Sequence, residues 1–212
     1  SNMQIITSIF AVFIIAMITN NIILTTGYGI CSYVGVSKKR SSAIGMGLAL
    51  VFVTFMAALV SYFLNKLLVF LNIEFMQTVC FILVIASLVQ LVEMIVKKFL
   101  PSLYNALGIY LPLITTNCVV LYVPKQICDV PALMTGLGLS SDLISNGGFD
   151  FLFAMVYALG TGCGYFLVIF IFSTIRERMD HAPVVKGFEG AGIALVTTAI
   201  LALAITGLAG LF

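Results

Sequence analysis

From Ile5 to Ser37 the chain runs 33 residues without a charged side chain. As one continuous helix that stretch would extend about 50 Å at about 1.5 Å per residue. The hydrocarbon core of a bilayer is only about 30 Å thick, and modest tilt does not absorb the difference. A break inside the stretch is therefore expected, and Thr25-Thr26-Gly27-Tyr28-Gly29 marks its place. Two glycines there permit backbone shapes that other residues avoid, and threonine hydroxyls can bond the peptide groups that a helix break frees.

A bilayer is the setting because 62% of the 212 residues are hydrophobic and only 8% charged. Soluble domains carry about 25% charged residues. The charges also cluster, leaving six apolar segments near the length of a membrane crossing, at about 5–37, 43–65, 75–96, 102–124, 150–174 and 190–211. Ser1 and Asn2 ahead of Met3 read as a tag remnant. The first apolar segment has no basic n-region and no nearby small-residue cleavage site, so it is expected to stay as a span. Loops after spans one, three and five hold Lys38, Lys39, Arg40, Lys97, Lys98, Arg176, Arg178 and Lys186, whereas loops after spans two and four hold only Lys66 and Lys125. The positive-inside rule then places both termini outside the cytoplasm. A net charge of +2 gives no argument for nucleic acid.

Span four repeats the irregularity of span one. Between Lys98 and Lys125, Pro112 follows Gly108 by four residues. A proline removes one helical hydrogen bond and crowds the carbonyl four residues back, here a glycine's. Thr115, Thr116 and Asn117 follow as residues suited to cap a new helix start. Each break precedes a cysteine, Cys31 or Cys118, and each cysteine precedes a lysine by seven residues. If Lys38 and Lys125 mark opposite interfaces, both thiols lie about 10 Å deep, one from each side. Aligning Cys31 on Cys118 also superposes Lys38 on Lys125 and Leu24 on Leu111. Three spans separate the equivalent points, so the halves, approximately 3–98 and 99–212 of a single transmembrane domain, are expected to be inverted.

Inverted repeats with broken helices at the midplane are common in secondary transporters. The spans, however, hold little ionisable chemistry. Glu93 is the clearest candidate, and its spacing of four from Lys97 fits a helical ion pair near the cytoplasmic surface. Asp150 and Lys66 lie at span edges, positions from which side chains snorkel. Cys80 and Cys163 read as packing residues, the latter inside Gly160-Thr161-Gly162-Cys163-Gly164, a small-residue face that lets another helix approach. Cys128 falls in the external loop, a lone thiol or a neighbour of Cys80, and five cysteines in this pattern define no disulfide framework. Cys31 and Cys118 alone share helix breaks related by the repeat. Two thiolates are too few for a structural zinc or an iron-sulfur cluster, which take four ligands, so they make half a site.

The residues also resemble a known family. Asn20-Asn21, Leu24, Gly29, Cys31 and Gly35-Val36-Ser37-Lys38-Lys39 are similar to the first-span motif of the RnfA/NqrE family. Glu93-Met94, Leu103-Tyr104, Leu107-Gly108-Ile109 and Leu111-Pro112-Leu113-Ile114-Thr115-Thr116-Asn117-Cys118 resemble its fourth-span signature, and Ile175-Arg176-Glu177-Arg178 with the glycine-rich start of span six also fits. The Thr-Thr-Asn-Cys form is closer to RnfA than to NqrE.

The resemblance implies an all-α integral membrane protein of six transmembrane helices in two inverted three-helix repeats, spans one and four broken near the midplane. It implies an electron-transfer subunit of the ion-translocating ferredoxin:NAD oxidoreductase (Rnf) complex in a prokaryotic inner or plasma membrane. Cys31 and Cys118 would bind half of an intramembrane 2Fe-2S cluster, and an RnfE-like subunit of opposite topology would supply the rest. The cluster would relay electrons across the membrane, coupled to Na+ or H+ translocation. Backbone N–H groups near Gly29 and Asn117 are expected to donate to its sulfurs. No loop is large enough for a flavin or nucleotide domain, and neither a GxGxxG nor a P-loop occurs, so flavin and NAD belong to other subunits and this chain alone holds no complete active site. Two departures stand out. Segment 124–148, with Cys128, Pro131 and Gly136, is longer than in relatives, and Ser32 stands where some relatives carry proline. The other readings are an NqrE-type subunit of a Na+-translocating NADH:quinone oxidoreductase, an autonomous transporter and a structural scaffold.

Overall fold

The computed structural model describes residues 2–99, 113–114, 116–129, 132–133, 135, 150–179 and 190–209. All regular structure in those residues is helical. Helix α1 (Asn2–Ile14) passes into a π-helical turn at Ile15–Thr19, followed by two short helices, α2 (Ile22–Thr26) and α3 (Ile30–Val36). Then come α4 (Arg40–Phe70), α5 (Gln77–Phe99), α6 (Cys118–Gln126), α7 (Asp150–Met179) and α8 (Ala191–Ala209). Among the described residues, three helices are long and apolar enough to cross a membrane: Arg40–Phe70, Gln77–Ile95 and Asp150–Met179. Ile5–Thr19 and Ala191–Gly207 are shorter apolar helices. The break expected at Gly108 and Pro112 lies outside the described residues.

The uncharged N-terminal stretch is helical in pieces, and each interruption has a local cause. Asn21, with extended ψ of 118°, accepts the Ile23 amide on its side chain and so starts α2. Gly27 (φ 73°) ends α2 in the left-handed region and Gly29 (φ 88°) opens α3 from the same region. That conformation costs a residue with a Cβ about 1–2 kcal/mol, which glycine does not incur. The hydroxyls of Thr25 and Thr26 donate to the carbonyls of Asn21 and Ile22 at 2.7 and 2.6 Å. Helix α4 ends in a Schellman arrangement: Asn72 at φ 55° bonds the Val69 carbonyl and Ile73 bonds that of Leu68.

Helices α4 and α7 form the most extensive pair and carry the core. The glycines of α7 make the close contacts possible, on two faces. A Cβ at Gly162 would meet Thr54 and Val51 of α4, whereas one at Gly160 or Gly164 would meet the backbone of Phe13 or Met17. The small-residue face expected around Cys163 is thus a packing face for α4 and for the π turn. On the outside the chain is apolar: Phe70, Phe75 and Leu203 are 83%, 87% and 74% exposed. Such a surface suits lipid and would be a liability in water.

Four helices run further than the charge clusters imply: α5 takes in Lys97 and Lys98, and α6 takes in Lys125, all assigned to loops. Helix α4 reaches Phe70, so Lys66, assigned to a loop, lies within it and places its ammonium 4.9 Å from the centre of the Tyr62 ring. Helix α7 reaches Met179, so Arg176 and Arg178 are helical rather than in a loop. Arg176 is also buried, because its guanidinium finds backbone and hydroxyl partners inside the protein, as shown below.

The glycine contacts yield a paired prediction. Gly164→Ala puts a Cβ 2.7 Å from the Met17 carbonyl oxygen and is expected to lower stability in detergent by about 1–3 kcal/mol, the usual cost of overpacking. Gly207→Ala meets nothing within 4 Å, so thermal unfolding should show it unchanged or slightly stabilised.

Candidate functional site

Asn117 begins α6 as Asn21 begins α2. Its backbone is extended (φ −72°, ψ 125°) and its Oδ1 accepts the Val119 amide at 3.1 Å. This leaves its Nδ2 available, and Nδ2 donates to Ser32 Oγ at 2.8 Å. Ser32 follows Cys31, and Asn117 precedes Cys118. The two short cysteine-bearing helices are therefore joined by a direct side-chain hydrogen bond between the cysteines' own neighbours.

Ser32 has two further partners. Its Oγ lies 3.0 Å from the Gly29 carbonyl oxygen and 2.7 Å from the Tyr165 hydroxyl. A hydroxyl offers one hydrogen and two lone pairs. One assignment satisfies all three contacts: Ser32 donates to Gly29 and accepts from both Asn117 and Tyr165. Ser32, Asn117 and Tyr165 are each fully buried, so every bond in the group is shielded from water and losing one would strand a polar atom. Gly29 is required beside them. A Cβ there would lie 2.8 Å from Val119 Cγ2 and 3.0 Å from Tyr165 Cε2.

The cysteines sit on this support with their side chains outward. Cys31 is the second residue of α3 and Cys118 the first of α6, and both are exposed. Cys80 and Cys163 are half-buried, and Cys128, in a 3₁₀ turn, donates its thiol to the Pro124 carbonyl. Among the described residues no group of three or more His, Cys, Asp or Glu could hold a metal ion. Two outward thiols fit a group whose remaining ligands come from another surface. Beside Cys118 an apolar groove of about 280 Å³ runs between α5 and α6, lined by Phe81, Ile82, Leu121, Tyr122, Tyr28 and Lys125. Cys118 and Lys125, seven residues apart, share its wall, and Tyr28 packs on Tyr122 with ring centres 4.9 Å apart.

At the other end of α3, Arg176 Nη1 donates to the Val34 carbonyl at 2.7 Å and to Ser37 Oγ at 2.9 Å. The next residue, Glu177, forms an exposed ion pair with Arg40 at the start of α4. Between the two ends of α3, Tyr33 stacks on Phe172, ring centres 4.3 Å apart.

Of the residues singled out from sequence, Gly29 and Asn117 lie against the cysteines. The Asn117 side chain and the Gly29 carbonyl both bond Ser32 Oγ. Ser32, Tyr165 and Arg176 are parts of this site that the sequence does not assign to it. Ser32 gives a signal, a polar residue directly after Cys31 in an apolar stretch. Tyr165 gives none, since its partner is 133 residues away.

The fold and site define a multi-pass helical membrane protein that presents two thiols from short, hydrogen-bonded helices. Comparison with known proteins is consistent with that class: residues 9–212 match the family described as Rnf-Nqr subunit, membrane protein, and the chain belongs to this family. It is 44% identical over 193 residues to the A-type subunit of the ion-translocating oxidoreductase complex of Glaesserella parasuis serovar 5, covering 91% of each chain. It is 41% identical to the protein of the same name from Azotobacter vinelandii, covering 97% of this chain and 98% of the relative. Against the A-type subunit of the Na(+)-translocating ferredoxin:NAD(+) oxidoreductase complex of Acetobacterium woodii the identity is 42%, covering 94% and 96%.

The Ser32 junction can be measured. Ser32→Ala is expected to cost about 1–3 kcal/mol because it strands Asn117 Nδ2 and the Tyr165 hydroxyl. Tyr165→Phe should cost less, and the double variant should fall short of the sum by about 0.5 kcal/mol or more, as residues sharing a network do. Additive unfolding energies would show that the junction is not a unit.

Proposed function

We propose that this chain is the RnfA-type subunit of an ion-translocating ferredoxin:NAD oxidoreductase complex, and that Cys31 and Cys118 supply half of a 2Fe-2S site within the membrane. The observation that carries this reading is the bond from Asn117 to Ser32, which ties together the residues next to the two thiols. The names of the relatives support the complex. A bound 2Fe-2S cluster would supply a one-electron carrier between redox groups on the two sides of the membrane. The remaining ligands would come from an RnfE-like subunit of opposite topology, with flavin and NAD held by other subunits.

Within this reading the chain crosses a prokaryotic plasma membrane six times in two inverted halves, both termini extracytoplasmic. The π turn, α2 and α3 form the broken first span, and α6 is the second half of the broken fourth. Breaks inside hydrocarbon are tolerated only where the freed backbone groups are satisfied within the protein. The caps of Asn21 and Asn117 and the two threonine hydroxyls provide that. Coupling to Na+ or H+ movement belongs to the same proposal.

The test is iron and acid-labile sulfide, with electron paramagnetic resonance, on the complex purified after co-expression with its partners. Wild type is expected to carry a 2Fe-2S signal that Cys31→Ser or Cys118→Ser removes and that Cys80→Ser and Cys163→Ser retain. Iron that survives loss of either exposed cysteine would overturn the ligand assignment. Solute flux by the purified chain alone, without iron, would favour a transporter instead.

A further inference from the structure

Arg176 is 6% exposed on a helix whose neighbours are largely apolar. An intramembrane or near-interface charge that is buried is costly unless it is bonded, and it commonly marks function. Its partners are informative. Val34 is the third residue from the C-terminal end of α3, and Ser37 is that helix's C-cap. The last carbonyls of a helix have no partner within it, and a cation placed there meets the negative end of the helix dipole. Arg176 thus caps the half-helix whose first turn carries Cys31.

The same face of α7 holds α3 along its length. Tyr165, Phe172 and Arg176 are seven and four residues apart, a spacing that lines up on one side of a helix. Tyr165 bonds Ser32, Phe172 stacks on Tyr33, and Arg176 closes the C-terminal end. A seven-residue helix has little stability of its own. Its position is set by what holds it at both ends.

We infer that Arg176 is a positioning residue for Cys31: by capping the end of α3 from α7, it fixes the turn bearing this thiol relative to Cys118. This rests on the reading of Cys31 as a ligand. A single nitrogen, Nη1, makes both bonds, so a lysine ammonium, which is a point donor with three hydrogens, should replace much of the function.

The experiment uses the co-expressed complex with wild type, Arg176→Gln and Arg176→Lys, read by amide hydrogen exchange and by the potential and resonance spectrum of the cluster. Arg176→Gln should speed exchange in segment 30–37 by about tenfold, consistent with loss of a local restraint, and leave segment 118–126 within about twofold. It should also shift the cluster's midpoint potential and alter its spectrum, with Arg176→Lys close to wild type in both. Unchanged exchange in 30–37, or an equal rise in both segments, overturns the inference. So does faster exchange with an unaltered spectrum and potential. If Arg176→Gln does not assemble, Ser37→Ala removes one of the two bonds and should give the same pattern at a few-fold smaller amplitude, while an unaltered segment would overturn the inference. A wild-type complex without iron refutes the ligand assignment, and with it any positioning role toward a bound group; the exchange data then still report whether Arg176 holds α3.

Discussion

The two cysteine-bearing segments and α7 meet at one hydroxyl. Ser32 Oγ donates to Gly29 and accepts from Asn117 and Tyr165, which uses its single hydrogen and both lone pairs. Three separate parts of the chain, the α3 start, the α6 cap and the middle of α7, therefore meet at an atom with no bonding capacity left over. In an apolar interior a saturated junction is stiff in a way that a packed methyl group is not, because any displacement leaves a buried polar atom without a partner. The cost of each such atom, about 1–3 kcal/mol, is large beside the total stability of a domain.

The junction answers a problem created by stopping helices in an apolar environment. Each helix start leaves amides without intrahelical partners. Asn21 and Asn117 solve it with the same geometry: Oδ1 takes the amide two residues ahead, and Nδ2 reaches a different segment, Gly164 O in one case and Ser32 Oγ in the other. The cap is therefore also a cross-link. The two asparagines are not equivalent under the alignment that superposes the cysteines, where Asn117 falls on Ile30 and Asn21 lies nine residues earlier. Ahead of Cys31 the chain forms the short helix α2 and passes through two left-handed glycines. Cys118 directly follows its cap, Asn117.

Those local devices are legible because they are written in neighbouring residues. Thr25-Thr26-Gly27-Tyr28-Gly29 carries its own conformational requirement, and an asparagine ahead of an apolar run predicts a cap. The long-range contacts leave no comparable trace. Tyr165 sits among glycines that read as a packing face, which they are, and nothing local distinguishes its hydroxyl as the partner of Ser32. Arg176 is hidden for a different reason. Charge near the end of an apolar segment reads as the start of a loop, and the sequence offers no way to know that α7 continues to Met179 with Arg176 turned inward. Lys66 shows the same effect near the end of α4.

Exposure divides the site into support and reagent. Ser32, Asn117 and Tyr165 are buried completely, whereas the thiols next to them face outward. A chain building its own four-ligand metal site would turn its donors toward one another and surround them; here the polar atoms surround the backbone and leave the sulfurs free of it. With the support preorganised, the ordering cost of the two short helices is already met within this chain. Outward thiols on a preorganised support suit the shared site proposed above. The restraints converge on α3, the shorter of the two cysteine-bearing helices, which α7 holds at its first turn, its middle and its end.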